Sequence, residues 1–321
     1  MCSAIGYLNR YFGRTMDYEH SFGEKIIVTP REFLPIGESK NRYAVMGIGV
    51  LAEGTPLYFE GVNEWGLAAA ALNFPGCAVY LEEEVRGKEL NLSPGELISF
   101  ILGFCRNVHE ARAALTNIRI VSKIKCGKDP APLHWIFYDK NECIVVEPLA
   151  TGLSVKENPI SVMTNAPDLS YHMTRLSDYM SLTPTSPKNN LTECDLPRYS
   201  RGTGALGLPG DFSSSSRFVR AVFVKENTLV CNENATPLCE ISAFFHIMDS
   251  VSIPLGCVIT DEGNPVSTIY TSCIDMENLV YYFKSYDCSN LRAIRFNNEL
   301  YTSGDFEIFD MHFPEKTISL N

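Results

Sequence analysis

The chain opens with Met1-Cys2, and a cysteine behind an initiator methionine can carry both a nucleophile and its base. Cysteine is small enough for the methionine to be removed, which leaves a thiol and a free α-amine on one residue. An α-amine titrates near neutral pH, so its uncharged form can accept the proton of the thiol. Because residue 2 is arbitrary in many chains, the weight of this observation depends on the residues downstream.

A second chemical feature is the segment GRTMD at residues 13–17, which places Arg14 and Asp17 three residues apart. On a solvent-exposed surface such an ion pair contributes only about 0–1 kcal/mol. Beside Cys2, Arg14 would instead stabilise the thiolate, the nucleophilic form of the thiol, while Asp17 would orient the α-amine. Taken alone, the segment leaves these two interpretations balanced.

Other motifs are weaker. The GTGALG run at residues 202–207 lacks the preceding apolar strand and the following helix of a dinucleotide site, so we interpret it as a glycine-rich connection. No G-x-S-x-G is present, and the serines at 213–216 indicate a helix N-terminus. The six histidines are scattered without metal-ligand spacing, and no C-x-x-C accompanies them. We therefore expect neither a metal nor a cofactor.

Composition bounds the class of protein. The chain has 321 residues, of which 45% are hydrophobic and 20% charged, the profile of an ordinary globular protein. Its net charge of −11 and the lack of a basic run disfavour a nucleic-acid partner. The first residues do not resemble a signal peptide, and no apolar run is long enough to span a membrane. With eleven cysteines, an odd number, we expect reduced thiols in a cytoplasmic protein.

The elements that must position these residues occur in blocks. Short apolar runs between residues 3 and 72 predict consecutive strands. A helix is expected to begin at Ser93, because Ser-Pro-Gly-Glu at 93–96 supplies an N-cap, a proline and a capping-box glutamate. A second helical segment is expected at 108–116, and strands follow at 118–121, 133–138, 143–147 and 161–164. Helices are expected at 169–180, 218–225 and 238–251, and final strands at 267–275, 279–283 and 306–309. This order favours a layered α+β domain of stacked antiparallel sheets with helices outside.

Five motifs in order resemble one family. They are Met1-Cys2, GRTMD at 13–17, LNFP at 72–75, MTNAP at 163–167 and GLPGDFSSSSRFVRA at 207–221. The chain is similar, over essentially its whole length, to the choloylglycine hydrolases, which are N-terminal nucleophile hydrolases that include bile salt hydrolases and penicillin V acylases. The resemblance implies a four-layer αββα sandwich of two antiparallel sheets flanked by helices, formed by residues 2–321 as one domain.

The resemblance also implies roles for single residues. Cys2 would be the nucleophile and, through its amine, the base, with Arg14 and Asp17 beside it. The side-chain amides of Asn165 and Asn73 would form the oxyanion pocket, and Arg217 would be a cation near the reacting centre. In isolation, Asn-Ala-Pro and Asn-Phe-Pro would more often be turns.

The substrate expected from the resemblance is a bile salt conjugated with glycine or taurine, because penicillin V acylases often carry tyrosine where this chain has Asn73. An apolar wall for the steroid is expected from Met16, Phe22, Tyr58 and Phe59, although any core could use such residues. The loops near Tyr58 and at residues 126–132 are expected to set preference. A penicillin V or N-acyl-homoserine-lactone acylase and a non-catalytic binder of acidic amphipaths are the alternatives.

The polar, proline-bearing segment 184–200 corresponds to a protruding segment that contacts neighbouring subunits in relatives. We therefore expect a homotetramer. A mobile loop without a partner is the alternative.

Overall fold

The computed structural model describes residues 1–33, 35–36, 39–87, 89–122, 130–230, 236–317 and 319. Their strands are β1 Cys2–Tyr7, β2 Tyr11–Tyr18, β3 Lys25–Thr29, β4 Pro35–Ile36, β5 Ser39–Lys40, β6 Val45–Ala52, β7 Thr55–Asn63, β8 Ala68–Asn73, β9 Leu90–Leu92, β10 Ile118–Ile120, β11 Leu133–Tyr138, β12 Cys143–Leu149, β13 Gly152–Glu157, β14 Val162–Met163, β15 Val258–Ile259, β16 Pro265–Asp275, β17 Val280–Ser285, β18 Cys288–Arg295 and β19 Glu307–Phe309. The α-helices are α1 Leu97–Phe104, α2 Val108–Leu115, α3 Leu169–Leu176, α4 Ser214–Asn227, α5 Pro237–Asp249 and α6 Asn298–Tyr301.

Two antiparallel sheets form the centre of the fold. One has the strand order β14-β1-β2-β16-β17-β18, with β15 added beside β16. The other has eight strands in the order β13-β12-β11-β8-β7-β6-β3-β19. Each sheet thus brings strands from both ends of the described chain side by side, so residues distant in sequence meet in the space between the sheets.

Alternation along the strands defines the layers. On β8, Ala68, Ala70 and Leu72 pack into the core between the sheets, whereas Ala69 and Ala71 pack into a second core beneath α1. Across the first core, the Phe12 ring stacks on Tyr138 at a centroid distance of 5.8 Å. Helices α4 and α5 contact the outer face of the sheet that contains β1, β2, β14 and β16. The fold is therefore a four-layer αββα sandwich, which confirms the predicted class.

Helix starts follow the predicted capping chemistry. Ser93 and Glu96 form the expected capping box at a short 3₁₀ turn, Pro94–Glu96, and α1 follows it directly. The side chain of Ser213 caps α4, so this helix begins at Ser214 and not at the predicted residue 218. This cap satisfies a backbone N–H group that has no partner within the helix, and it thereby fixes where the first turn of α4 begins.

Two edge regions were missed from the sequence. The strand β13 carries mostly half-exposed residues, and β18 alternates between buried and exposed positions.

The segment 184–200 has no helix or strand and is largely exposed. Cys2, Cys105, Cys143, Cys273 and Cys288 are buried free thiols. In the residues that the structure describes, no helix is long and apolar enough to cross a membrane.

Candidate active site

Cys2 is the first residue of β1, and its side chain belongs to the core between the two sheets. In the pairing of β1 with β2, Cys2 lies opposite Met16 and Ala4 lies opposite Arg14. Paired residues of antiparallel strands alternate between the two faces together, so these four side chains share one face. Arg14 Nη2 donates to Cys2 Sγ at 2.6 Å, so the predicted cation does contact the thiol.

The guanidinium of Arg14 is held from several directions. Its Nη1 donates to the carbonyl oxygens of Ala71 at 2.6 Å and Phe59 at 3.3 Å. Its Nε lies 3.3 Å from a carboxylate oxygen of Glu60, a residue that the sequence did not single out. Burial lowers the pKa of Arg14, but the charges of its neighbours, Cys2 first among them, outweigh burial and raise it. Arg14 is therefore a permanent cation beside the sulfur.

Asn165 joins the nucleophile to the adjoining strand. It follows β14, the neighbour of β1, and its Oδ1 accepts a hydrogen bond from the backbone N–H of Cys2 at 2.9 Å. Its Nδ2 donates to the backbone carbonyl oxygen of Asn73 at 2.7 Å. The amide carries a second N–H for which the described residues offer no acceptor, so one donor remains for a substrate oxygen.

Arg217 extends from α4 to the same place. Its Nη1 donates to the carbonyl oxygen of Cys2 at 2.6 Å and to Ser3 Oγ at 2.7 Å, while Nη2 donates to Asn165 Oδ1 at 2.6 Å. Burial lowers the pKa of Arg217, and the nearby charge of Asp17 opposes this shift. One guanidinium thus fixes both the backbone of the nucleophile and the side chain of Asn165.

Asp17 lies on β2 but faces away from the thiol. Its carboxylate accepts hydrogen bonds from Thr268 Oγ1 at 2.6 Å and Thr15 Oγ1 at 3.0 Å, and it lies 3.9 Å from Arg217 Nη1. Burial raises the pKa of Asp17, while Arg217 and then Thr268 act in the opposite direction. Arg14 and Asp17, three residues apart on a strand, are directed to opposite faces because strand side chains alternate.

The backbone of Met1 extends the β1–β2 ladder by one pair. Met1 N donates to the carbonyl oxygen of Asp17 at 2.6 Å, and Asp17 N donates to Met1 O at 3.0 Å. With Met1 in place, the N–H of Cys2 bonds to Asn165 and not to the carboxylate of Asp17. Orientation of a free α-amine by Asp17 therefore stays a prediction for the processed chain.

A cavity of about 450 Å³ opens on Cys2 and is lined mainly by apolar side chains. The four residues expected to form its wall, Met16, Phe22, Tyr58 and Phe59, all line it, as does Asn73. Of the loop 126–132, residues 126–129 lie outside the described residues, while Pro130 and Ala131 line the cavity. Further lining residues that the sequence did not indicate include Tyr18, Val50, Leu57, Ala71, Pro94 and Leu133.

A β-bulge explains why two consecutive residues of β7 reach the cavity. Ile48 pairs with Glu60 and Gly49 pairs with Tyr58, which leaves Phe59 as the extra residue between them. Such a bulge re-aims side chains that would otherwise point to opposite faces. The phenol of Tyr58 is not free, because its hydroxyl shares a hydrogen bond with Thr29 Oγ1 at 2.6 Å. Tyr58 therefore contributes its ring to the wall.

In the part of the chain that the structure describes, no three His, Cys, Asp or Glu side chains are grouped to hold a metal ion. The site consists of a thiol, two buried cations and amide donors at one end of an apolar cavity. These groups suit attack by sulfur on an uncharged carbonyl group whose oxygen becomes negative.

A cysteine that begins a central strand of an αββα sandwich defines the class of N-terminal nucleophile hydrolases. The family model for "linear amide C–N hydrolases, choloylglycine hydrolase family" matches residues 2–309. The chain therefore belongs to the choloylglycine hydrolase family and is a hydrolase of linear amide bonds.

Known members of the family resemble the chain closely. It is 41% identical over 308 residues to a bile salt hydrolase/transferase of Lactiplantibacillus plantarum, covering 93% of both chains. It is 34% identical over 318 residues to a bile salt hydrolase/transferase of Clostridium perfringens, covering 97% of this chain and 94% of that one. The crystal structure of the C2A mutant conjugated bile acid hydrolase from Clostridium perfringens matches with a TM-score of 0.92, 32% identity and complete coverage of both chains.

Proposed function

We propose that this chain is a bile salt hydrolase, which cleaves the amide bond between a bile acid and glycine or taurine. The observation that carries the proposal is the 2.6 Å contact of Arg14 Nη2 with Cys2 Sγ at the end of a mainly apolar cavity. A cavity of about 450 Å³ lies within the roughly 300–1,000 Å³ range of sites for small molecules. The steroid would lie along the apolar wall, with its amide carbonyl at the sulfur.

Removal of Met1 begins the chemistry, because it converts the backbone nitrogen of Cys2 into an α-amine. This amine takes the thiol proton, and Arg14 stabilises the resulting thiolate. The thiolate attacks the amide carbonyl carbon, and the carbon–oxygen π electrons move to the oxygen. The unused N–H of Asn165 and the side chain of Asn73 donate to this oxyanion, and one such donor typically contributes about 2.7–4 kcal/mol.

Collapse of the tetrahedral intermediate breaks the carbon–nitrogen bond. The α-ammonium of Cys2 gives its proton to the leaving nitrogen, so glycine or taurine departs and a thioester remains on sulfur. The α-amine then takes a proton from water, and the hydroxide attacks the thioester carbonyl. Breaking the carbon–sulfur bond releases the bile acid and restores the thiolate.

Hydrolysis of glycocholate and taurocholate by the purified protein tests this proposal, with Cys2→Ala assayed in parallel. The expected result is free glycine or taurine from the parent and none from the variant. Penicillin V and an N-acyl-homoserine lactone are assayed beside the bile salts, because preferential cleavage of either would assign the site to an acylase instead. Intact mass is measured on the same sample, since a retained Met1 would favour a non-catalytic binder.

We also propose a cytoplasmic homotetramer assembled through the segment 184–200. Within it, Leu191 is 88% exposed and Tyr199 is 93% exposed, an unfavourable state for apolar surface unless a neighbouring subunit covers it. Light scattering is expected to give the mass of four chains for the parent and a smaller mass for Leu191→Ser/Tyr199→Ser. A parent mass equal to one chain would contradict the tetramer.

A further inference from the structure

Glu60 is a buried carboxylate for which the proposed mechanism has no use. It projects from β7 into the space between the sheets and has no exposed surface. On the opposite sheet, the hydroxyl of Tyr270 donates to Oε2 at 3.3 Å and the hydroxyl of Tyr281 donates to Oε1. Its other neighbours are Ser272, whose side chain hydrogen-bonds to it, and Arg14, whose Nε lies 3.3 Å from Oε2.

The carboxylate and the sulfur both lie against the guanidinium of Arg14. Its Nε is 3.3 Å from Glu60 Oε2, and its Nη2 donates to Cys2 Sγ at 2.6 Å. The Nε hydrogen bond itself goes to the carbonyl oxygen of Thr15 at 3.2 Å, so Glu60 acts on Arg14 mainly through its charge. Among the described residues, Glu60 is the only acidic side chain within 4.0 Å of this guanidinium.

Backbone carbonyls already fix the position of Arg14, so Glu60 is not needed merely to hold it. Nη1 is bonded to Ala71 and Phe59 on the eight-stranded sheet, and Nε is bonded to Thr15 on β2. What Glu60 adds is a negative charge that attracts the same cation as the thiolate does. In a buried site such competition is strong, because the effective dielectric constant is far below that of water.

We infer that Glu60 acts through Arg14: its carboxylate competes with the Cys2 thiolate for the positive charge of that guanidinium and thereby sets the pH at which the sulfur becomes nucleophilic. A thiolate held less tightly forms at higher pH and is the stronger nucleophile once formed. The inference rests on the proposed role of Cys2 as the nucleophile, whereas the ion pair between Arg14 and Glu60 is independent of that role.

Other ionisable groups also act on Cys2, Arg14 and Glu60. Burial raises the pKa of Glu60, and Arg14 is the strongest opposing influence. The other charged and titratable side chains that act on Cys2, Arg14 or Glu60 are Asp17 and Tyr18 on β2, Tyr270 on β16, Tyr281 on β17 and Arg217 on α4. Asp17 lies 3.9 Å from Arg217 and also acts on Arg14, but more weakly than Glu60 does.

The test measures the pH dependence of iodoacetamide alkylation at the Cys2 peptide by mass spectrometry, which requires no substrate. Glu60→Gln keeps the size of the side chain and removes its charge. We expect the alkylation midpoint to fall by about one pH unit, because Arg14 is then shared with no other anion. Glu60→Asp keeps the charge and is expected to leave the midpoint near that of the parent.

Glu64→Gln is the matched control, because Glu64 directly follows β7 but pairs with Arg31. The alkylation midpoint of Cys2 in this variant is expected to equal that of the parent. If Glu60→Gln fails to fold, Glu60→Met removes the charge without an amide and carries the same expectation. A midpoint that is unchanged or higher in the charge-free variant would overturn the inference. A parent that leaves glycocholate intact while these shifts appear would instead refute the proposed substrate alone.

Discussion

His172 Nε2 lies 2.9 Å from the backbone carbonyl oxygen of Asn165, and its ring stacks on Phe218 at a centroid distance of 4.7 Å. Since a carbonyl oxygen only accepts, Nε2 carries the proton, and Nδ1 has no partner among the described residues. Phe218 follows Arg217 along α4. The buried imidazole therefore contacts Asn165 directly and the residue next to Arg217. Burial lowers the pKa of His172, which favours the neutral ring.

Stability is expected to depend on the protonation of His172. Its pKa is lowered in the folded chain, so below about pH 6.5 the unfolded chain binds a proton that the folded chain resists. The free energy of unfolding should therefore decrease as pH falls from 7 to 5. His172→Gln keeps a donor but does not titrate, so its decrease should be smaller by up to about 1.4 kcal/mol per pH unit.

Urea unfolding at pH 7, 6 and 5 measures this difference, with His109→Gln as the control because His109 is exposed. The control is expected to follow the parent. Parallel curves for the parent and His172→Gln would show that His172 does not contribute.

Arg217→Lys is expected to lower kcat about 10²-fold with little change in KM. A lysine keeps the charge, but it lacks the planar fork that contacts the Cys2 carbonyl and Asn165 together, and misplacement of a reacting group by about 1 Å can have this effect. Arg220→Lys is the matched control, because Arg220 lies one turn further along α4 and bonds to the carbonyls of Ser250 and Pro209. Equal loss of amide hydrolysis in both variants would contradict a specific role for Arg217.

A chain with residues added before Met1 is expected to fold normally and to lose at least about 10³-fold in amide hydrolysis. Met1 already pairs with Asp17 at the end of the ladder, so an extension is compatible with the fold. The nitrogen of Cys2 is then part of a peptide bond and cannot accept a proton. Cleavage by a protease that leaves Cys2 first should restore activity, and full activity before cleavage would refute the α-amine as base.

Phe22→Ala is expected to raise KM for conjugated bile salts about ten-fold while kcat stays within two-fold. Phe22 lines the cavity, is 41% exposed, and packs edge-to-face on Phe59 at 5.7 Å, so its loss removes apolar contact and no polar group of the site. Phe313→Ala, outside the cavity lining, serves as the control with an unchanged KM. Steady-state kinetics on glycocholate distinguish the two, and an unchanged KM in Phe22→Ala would exclude this wall as the steroid site.

Local patterns in the sequence predicted the layered fold because they record which residues can begin helices and which runs can lie in buried strands. The Ser93–Glu96 capping box is a short-range feature and was predicted correctly. The edge strand β18 has a readable alternation that was overlooked, whereas β13 is half-exposed and gives little signal. The bulge at Phe59 interrupts the alternation of side chains along β7, and local patterns do not predict it.

The site residues were predictable only through ordered motifs, since no local rule places Asn165 or Arg217 beside Cys2. Glu60 carries no such signal. Its contact with Arg14 depends on the register of β7 in one sheet and on tyrosines from β16 and β17 in the other. Long-range packing of this kind is not encoded in the spacing of neighbouring residues.

The most direct test of the account is mass spectrometry of the N-terminal peptide after the protein is mixed with glycocholate and quenched in acid. The account predicts a peptide that begins at Cys2, without Met1, and that transiently gains the mass of a cholyl group on sulfur. A peptide that retains Met1 while glycine is released, or a cholyl adduct on any other residue, would contradict it.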